Sequence, residues 1–111
     1  MFKRTIAIIL ALSFGAVSIS LAAETPRQTF AREIKENVSS NVLLCQTVDS
    51  DGYSLQVICD GNFIAGLPAA ERDKTTYAGS LLIARGFKLA NCTYANEANR
   101  KSTTMCFFSR L

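Results

Sequence analysis

Hydrophobic positions along this chain change period from one stretch to the next, and each change marks an element. Phe30, Ala31, Ile34 and Val38 recur at helical spacing, while Arg32, Glu33, Lys35 and Glu36 take the other side. That pattern predicts an amphipathic helix of about three turns over 28–37. Ser39, Ser40 and Asn41 end it, because their side chains compete for backbone hydrogen bonds. Val42–Val48 and Leu55–Cys59 are rich in β-branched and apolar residues and are separated by Asp49, Ser50, Asp51 and Gly52. Two strands joined by a tight acidic turn follow. A turn centred on Gly52 sets Cys45 opposite Cys59, Thr47 opposite Val57 and Asp49 opposite Leu55. Leu43, Cys45, Val57 and Cys59 then share the face expected to be buried, and Gln46 and Gln56 sit among Leu44, Val48 and Ile58 on the other.

Asp60, Gly61 and Asn62 form a turn, with Phe63, Ile64 and Leu67 as a short apolar connector to Pro68. A second helix starts either at Pro68, in the first turn, or at Lys74 behind an Asp73 N-cap. Tyr77, Ala78, Leu81, Leu82 and Arg85 have its period, Ile83 and Ala84 widen the apolar stripe, and Gly86 stands where a C-cap glycine would. This helix is expected to be the more buried of the two. Phe87–Ala95 and Ser102–Ser109 then make a second hairpin, with Cys92 opposite Cys106 and Tyr94 opposite Thr104. Its cysteine face carries Ala90, Tyr94, Cys106 and Phe108, and its reverse face Leu89, Met105 and Phe107. The last strand is therefore apolar on both sides, so it is either central and covered twice or has one side waiting for a partner.

The two helix–hairpin stretches align without a gap. A shift of 47 residues carries Cys45 and Cys59 onto Cys92 and Cys106, Thr29, Phe30 and Ala31 onto Thr76, Tyr77 and Ala78, and Ile34 onto Leu81. The expectation is an α+β domain of two α-β-β repeats, the first about 28–63 and the second about 68–110. They would form a four-stranded antiparallel sheet with two helices on one face, the copies related by a pseudo-twofold. At the level of architecture alone, such tandem units resemble small bacterial inhibitor and inhibitory-propeptide modules.

The N-terminus changes the charge argument. Lys3 and Arg4, the apolar run from Ile6 to Leu21, and small residues before Glu24 have the pattern of a signal peptide cleaved after about residue 23. A bacterial exported protein, periplasmic or secreted, is expected, with a mature domain over 24–111. Removing the leader takes the basic residues from twelve to ten against nine acidic, a net charge of +1. Nucleic-acid binding thus loses its compositional support, and no membrane association is expected after cleavage. Residues 24–70 carry three basic and six acidic groups and residues 71–111 seven and three, so the halves stand at −3 and +4. Four cysteines in an exported chain read as a disulfide framework, and the repeat favours Cys45–Cys59 and Cys92–Cys106. Closing each 15-residue loop is worth about 3 kcal/mol in the chain-entropy model.

Candidate chemistry is sparse. The chain has no histidine, which removes the usual neutral-pH base, the Ser-His and Cys-His nucleophile pairs and the commonest metal ligand. Asp49, Asp51 and Asp60 fall at calcium-loop spacing, but Ser54 stands where that loop needs glycine, and an acidic turn accounts for the same residues. No cofactor signature is present, and no catalytic or metal site is expected. The function that remains is a non-catalytic protein-binding module, of an inhibitor or immunity type. A self-associating envelope component, as a homodimer for instance, and an atypical enzyme using carboxylates or lysine are the alternatives. The candidate partner-binding residues are Leu89, Met105 and Phe107, with Arg85, Lys88, Arg100 and Lys101 as a basic cluster.

Overall fold

The computed structural model describes residues 23–96 and 101–110. Helix α1 spans Pro26–Asn37 and helix α2 Lys74–Ala84, and the strands are β1 Leu44–Ser50, β2 Leu55–Cys59, β3 Asn62–Leu67, β4 Lys88–Asn96 and β5 Ser102–Ser109. All neighbours in the sheet are antiparallel, in the order β3-β2-β1-β5-β4. The class is α+β as expected, but the sheet has five strands rather than four.

The fifth strand is β3, which sequence reasoning takes as a connector. Asp60 and Gly61 both have positive φ, 50° and 82°, the conformation of a two-residue hairpin turn whose twist matches its strands. The turn folds Asn62–Leu67 back on β2, pairing Cys59 with Asn62 and Leu55 with Leu67. Ala65 and Leu67 thereby enter the core.

The pseudo-twofold is also not what the strand order allows. A twofold would bring equivalent strands of the two hairpins together at the centre, whereas β1 meets β5 there. Because β1 and β4 run the same way, hairpin β4–β5 lies two strand positions along the sheet from hairpin β1–β2, in the same orientation.

Each helix end has a local cause. Thr25 caps α1 and Gln28 returns the bond, a capping box with Pro26 in the first turn, so the helix starts two residues before the periodic pattern does. At α2 the start is Lys74, the later of the two expected. Asp73 is left-handed there, with φ 53°, and its side chain makes no cap bond. The Lys74 ammonium and the Thr75 hydroxyl instead hold the Asp49 carboxylate of β1, at 3.0 and 2.5 Å. A negative group thus stands by a helix start that has no acid of its own in the first turn. Helix α2 ends as the sequence suggests. The Phe87 amide bonds Leu82 O and the Gly86 amide bonds Ile83 O, with Gly86 at φ 94° and Leu82 and Phe87 both buried. That double bond pattern, with its apolar contact, is a Schellman cap.

One buried cluster joins Phe30, Ile34 and Val38 of α1 and its cap, Ala78 and Leu82 of α2, and Cys45, Val57, Cys59, Cys106 and Phe108 of the sheet. Both helices therefore cover the cysteine face. They run side by side in the same sense: Arg27 pairs with Glu71 at 2.9 Å near their starts, the rings of Phe30 and Tyr77 lie 6.0 Å apart, and Arg85 donates to Lys35 O near their ends. Helix α2 is the more buried of the two, as expected, with Ala78, Gly79 and Leu82 buried where α1 buries Phe30 and Ile34, although Ile83 and Ala84 point outward. Their side of the helix passes the edge of the sheet, where among the described residues no element lies beyond β4.

Parallel helices end at one corner of the fold, and there Arg110 binds the cap carbonyl of α2 together with two carbonyls of the loop that follows α1. Its guanidinium lies over the Phe87 ring at 4.3 Å and donates to Arg85 O, to Val42 O and to Ser39 O. Replacing Arg110 by Ala should cost about 2–3 kcal/mol, and by Lys nearly as much, since a compact ammonium cannot span the carbonyls that the planar guanidinium reaches from three nitrogens while stacked on Phe87. Chemical denaturation of the oxidised protein measures both. Thr47 is the converse case, a hydroxyl buried between Val57 and Cys106 with no hydrogen-bond partner among the described residues. Thr47→Val keeps the shape and removes the unsatisfied oxygen, so it should raise stability by about 1–2 kcal/mol in the same assay.

Candidate functional site

The strongest candidate is the sheet face that the helices leave bare. Alternation places Leu44, Gln46 and Val48 of β1 and Met105 and Phe107 of β5 on it. The pairings run across the sheet in rows: Phe63 beside Ile58, then Gln46, Phe107 and Asn91, and in the next row Gly66, Gln56, Val48, Met105 and Thr93. Among the described residues no element packs over these rows. Phe63 is 63% exposed and Leu44 53%. The Phe63 ring approaches to 3.5 Å the point where a side chain on Gly66 would begin, so the missing side chain gives the ring a floor. A shallow hollow of about 250 Å³, lined chiefly by Leu44, Gln46, Ile58, Gly61 and Phe107, opens beside it.

Of the seven residues singled out from sequence, three belong to this face. Met105 and Phe107 lie in the rows above and are half-buried, and Lys88 pairs with Ser109 next to Leu44. Leu89 does not, contrary to expectation. A β-bulge between Leu89 and Asn91 inserts Ala90 as an extra residue, so Leu89 pairs with Phe108 on the helix side while Asn91 pairs with Phe107. One unpaired residue reverses the alternation for everything before it.

The basic cluster also separates. Arg85 reaches Lys35 O at the helix ends, and its Nε is buried with no partner among the described residues. Lys101 lies at the far end of the strands, bonded to the Tyr53 hydroxyl at 2.6 Å and stacked over its ring at 4.6 Å. Arg100 lies outside the described residues. Sequence reasoning misses Phe63, because it takes Phe63–Leu67 as a connector to Pro68. The Asp60-Gly61 pair between two apolar runs was the signal that could have found it.

The three aspartates at calcium-loop spacing do not converge. Asp49 is taken by Lys74 and Thr75, Asp51 accepts from the Ser102 amide, and Asp60 is in a turn at the opposite end of the strands. Both disulfides close within a hairpin, Cys45–Cys59 and Cys92–Cys106, and no free cysteine is left to act as a nucleophile. Among the described residues no helix is long and apolar enough to cross a membrane.

No family model, no curated protein and no solved structure matches the chain. The site therefore rests on its own geometry.

The two bridges differ in access. Cys45 and Cys59 are buried under α1 and α2, whereas Cys92 is exposed on the edge strand. A thiol reductant under native conditions should open Cys92–Cys106 first and Cys45–Cys59 only with global unfolding, since exchange requires the attacking thiolate to reach sulfur. Timed alkylation followed by peptide mass spectrometry reads the order.

Proposed function

We propose that this protein is a non-catalytic, exported binding module that takes a protein partner on the open face of its sheet, as inhibitor and immunity-type proteins occupy theirs. The observation that carries the reading is the row of exposed Phe63 and half-buried Ile58 and Phe107, with exposed Leu44 beside it, on a face that no described element covers. Aromatic and aliphatic anchors set among amides and threonines are the composition of an interface core with a polar surround. The flanking cation Lys88 favours a partner whose matching rim is neutral or acidic.

Export is supported by the signal-peptide pattern before Glu24 and by two formed disulfides, which persist in oxidising compartments. A binding role is supported over catalysis by a composition without histidine and by cysteines committed to bridges. The two helix–hairpin units we take as copies of one ancestral element. The 47-residue offset of their cysteines, the matching cross-strand position of both bridges and the facing of Phe30 with its counterpart Tyr77 support that descent.

The test is capture from periplasmic extract of the source organism on immobilised oxidised protein, alongside the double variant Phe63→Ser, Phe107→Ser. A stoichiometric partner should be retained by the native protein and held at least about tenfold more weakly by the variant. Both proteins should keep their disulfides and circular dichroism. Absence of any stoichiometric partner, or equal capture by the two, would overturn the reading.

A further inference from the structure

A second concavity lies at the corner where the two helices end. It measures about 570 Å³ and is lined chiefly by Lys35 and Glu36 of α1, Ser39 and Ser40 of the loop behind it, Arg85 at the cap of α2, and Arg110. Backbone contacts tie its three cations together. Arg85 Nη2 donates to Lys35 O at 3.3 Å, and Arg110 Nη1 donates to Arg85 O at 2.9 Å.

Charge decides what such a pocket can hold. Three cations stand against one carboxylate, Glu36, which already has Arg32 as a partner at 3.0 Å. Counting Glu36 in full still leaves the lining at +2. The C-terminal ends of the two helices subtract about half a charge each, so the corner stays positive by about one charge. The acceptors that Arg85 and Arg110 hold are neutral carbonyls, which satisfy hydrogens without cancelling charge.

Capping the helix ends accounts for Arg110, which donates from all three of its nitrogens. It does not account for the other two cations. The Lys35 ammonium is exposed and has no ion pair or hydrogen bond among the described residues. Arg85 holds one bond, at a length just beyond the usual range, and its Nε is buried with no partner among the described residues. An unpaired donor on a buried charged group is costly, so this guanidinium is held weakly where it stands. A negative group in the pocket supplies what the arrangement lacks. Turning toward it, Arg85 exchanges one long bond for charge-assisted ones and takes its Nε out of the unpaired position.

We infer that this corner binds a phosphoryl group, with Arg85 and Lys35 as its charged contacts, the Ser40 hydroxyl as a neutral donor and Arg110 as a fixed cation behind them. Donors that come from α1, α2 and the loop between α1 and β1 suit tetrahedral oxygens. A planar carboxylate instead favours two parallel bonds from a single guanidinium fork, and the Arg110 fork is spent on carbonyls. Against about 30 Å³ for one water, the volume has room for more than a bare ion, so the group arrives on a larger molecule. A soluble phosphate ester and a phospholipid headgroup present the same oxygens. The pocket lies at the helix ends, on the side of the sheet away from the open face, and its occupant is independent of the protein partner proposed there.

Inorganic phosphate is the first probe, titrated into isotope-labelled, oxidised, exported protein at ionic strength held constant with sodium chloride, and followed through the arginine Nε–Hε resonances. The Arg85 signal should move saturably, with a dissociation constant in the millimolar range or below, and acetate should bind at least about tenfold more weakly. Lys35→Glu alters an exposed side chain without a partner. It should weaken phosphate at least about tenfold while disulfides and circular dichroism stay unchanged. Phe63→Ser, Phe107→Ser should leave phosphate affinity as it is, which separates failure here from failure of the open-face reading. Vesicles of phosphatidylcholine with about one quarter phosphatidylglycerol distinguish the sources. Co-sedimentation that Lys35→Glu abolishes assigns the phosphoryl group to a headgroup, whereas saturable phosphate binding without co-sedimentation assigns it to a soluble ester; each supports the site. An Arg85 resonance unmoved at ~50 mM phosphate, moved equally by acetate, or titrating identically in Lys35→Glu would overturn it.

Discussion

Seven residue pairs between β1 and β5, from Leu44 with Ser109 to Ser50 with Thr103, join the two halves of the chain. Bonds beyond the paired residues lengthen the seam at both ends, from the Asp51 amide to Ser102 O and from the Arg110 amide to Leu43 O. The disulfides lie within hairpins and contribute nothing across it. Ordering such distant segments carries a loop-closure cost that only tertiary burial offsets. Here that burial comes from Cys45, Thr47, Cys106 and Phe108 beneath the helices. Remove the seam and two small hairpins remain, each with a bridge and a helix but half a core.

The seam also dictates what the rest of the molecule must solve. By placing the hairpins in the same orientation it makes the helices parallel, so their ends gather carbonyls at one corner. Arg110, two residues past Phe108, supplies the donors from just beyond the end of β5. The opposite corner is closed by side chains of the other kind, Lys74 and Thr75 on Asp49 and Arg27 on Glu71. Helices on one face leave the other bare. Both candidate sites, the bare face and the pocket at the helix ends, are thus consequences of one choice of strand neighbours.

Much of the local structure is readable from residues alone. Helical spacing in 28–37 and 77–85, the turn at Gly52 and the C-cap at Gly86 each depend on neighbours a few positions away, and each is present. Cys45 meets Cys59 and Cys92 meets Cys106 because hairpin registers follow from turn length and alternation. Met105 and Phe107 reach the open face for the same reason. Phe63 was legible in principle through Asp60-Gly61. Leu89 was not, because nothing in Lys88–Asn91 announces that Ala90 will be left unpaired.

Sequence by itself determined the α+β class, the two hairpins, both disulfide partners and a composition poor in catalytic groups. Tertiary structure alone decided that β1 lies against β5, that the hairpins are related by translation, that Ile83 and Leu89 flank an open edge, and that Arg85 and Lys101 lie far apart. The division is physical. Periodicity, caps and turns act over a few residues and leave their mark in the order of residue types. The choice of strand neighbour depends on which arrangement buries Phe30, Ile34, Leu82 and Phe108 together, and that is a property of the assembled core.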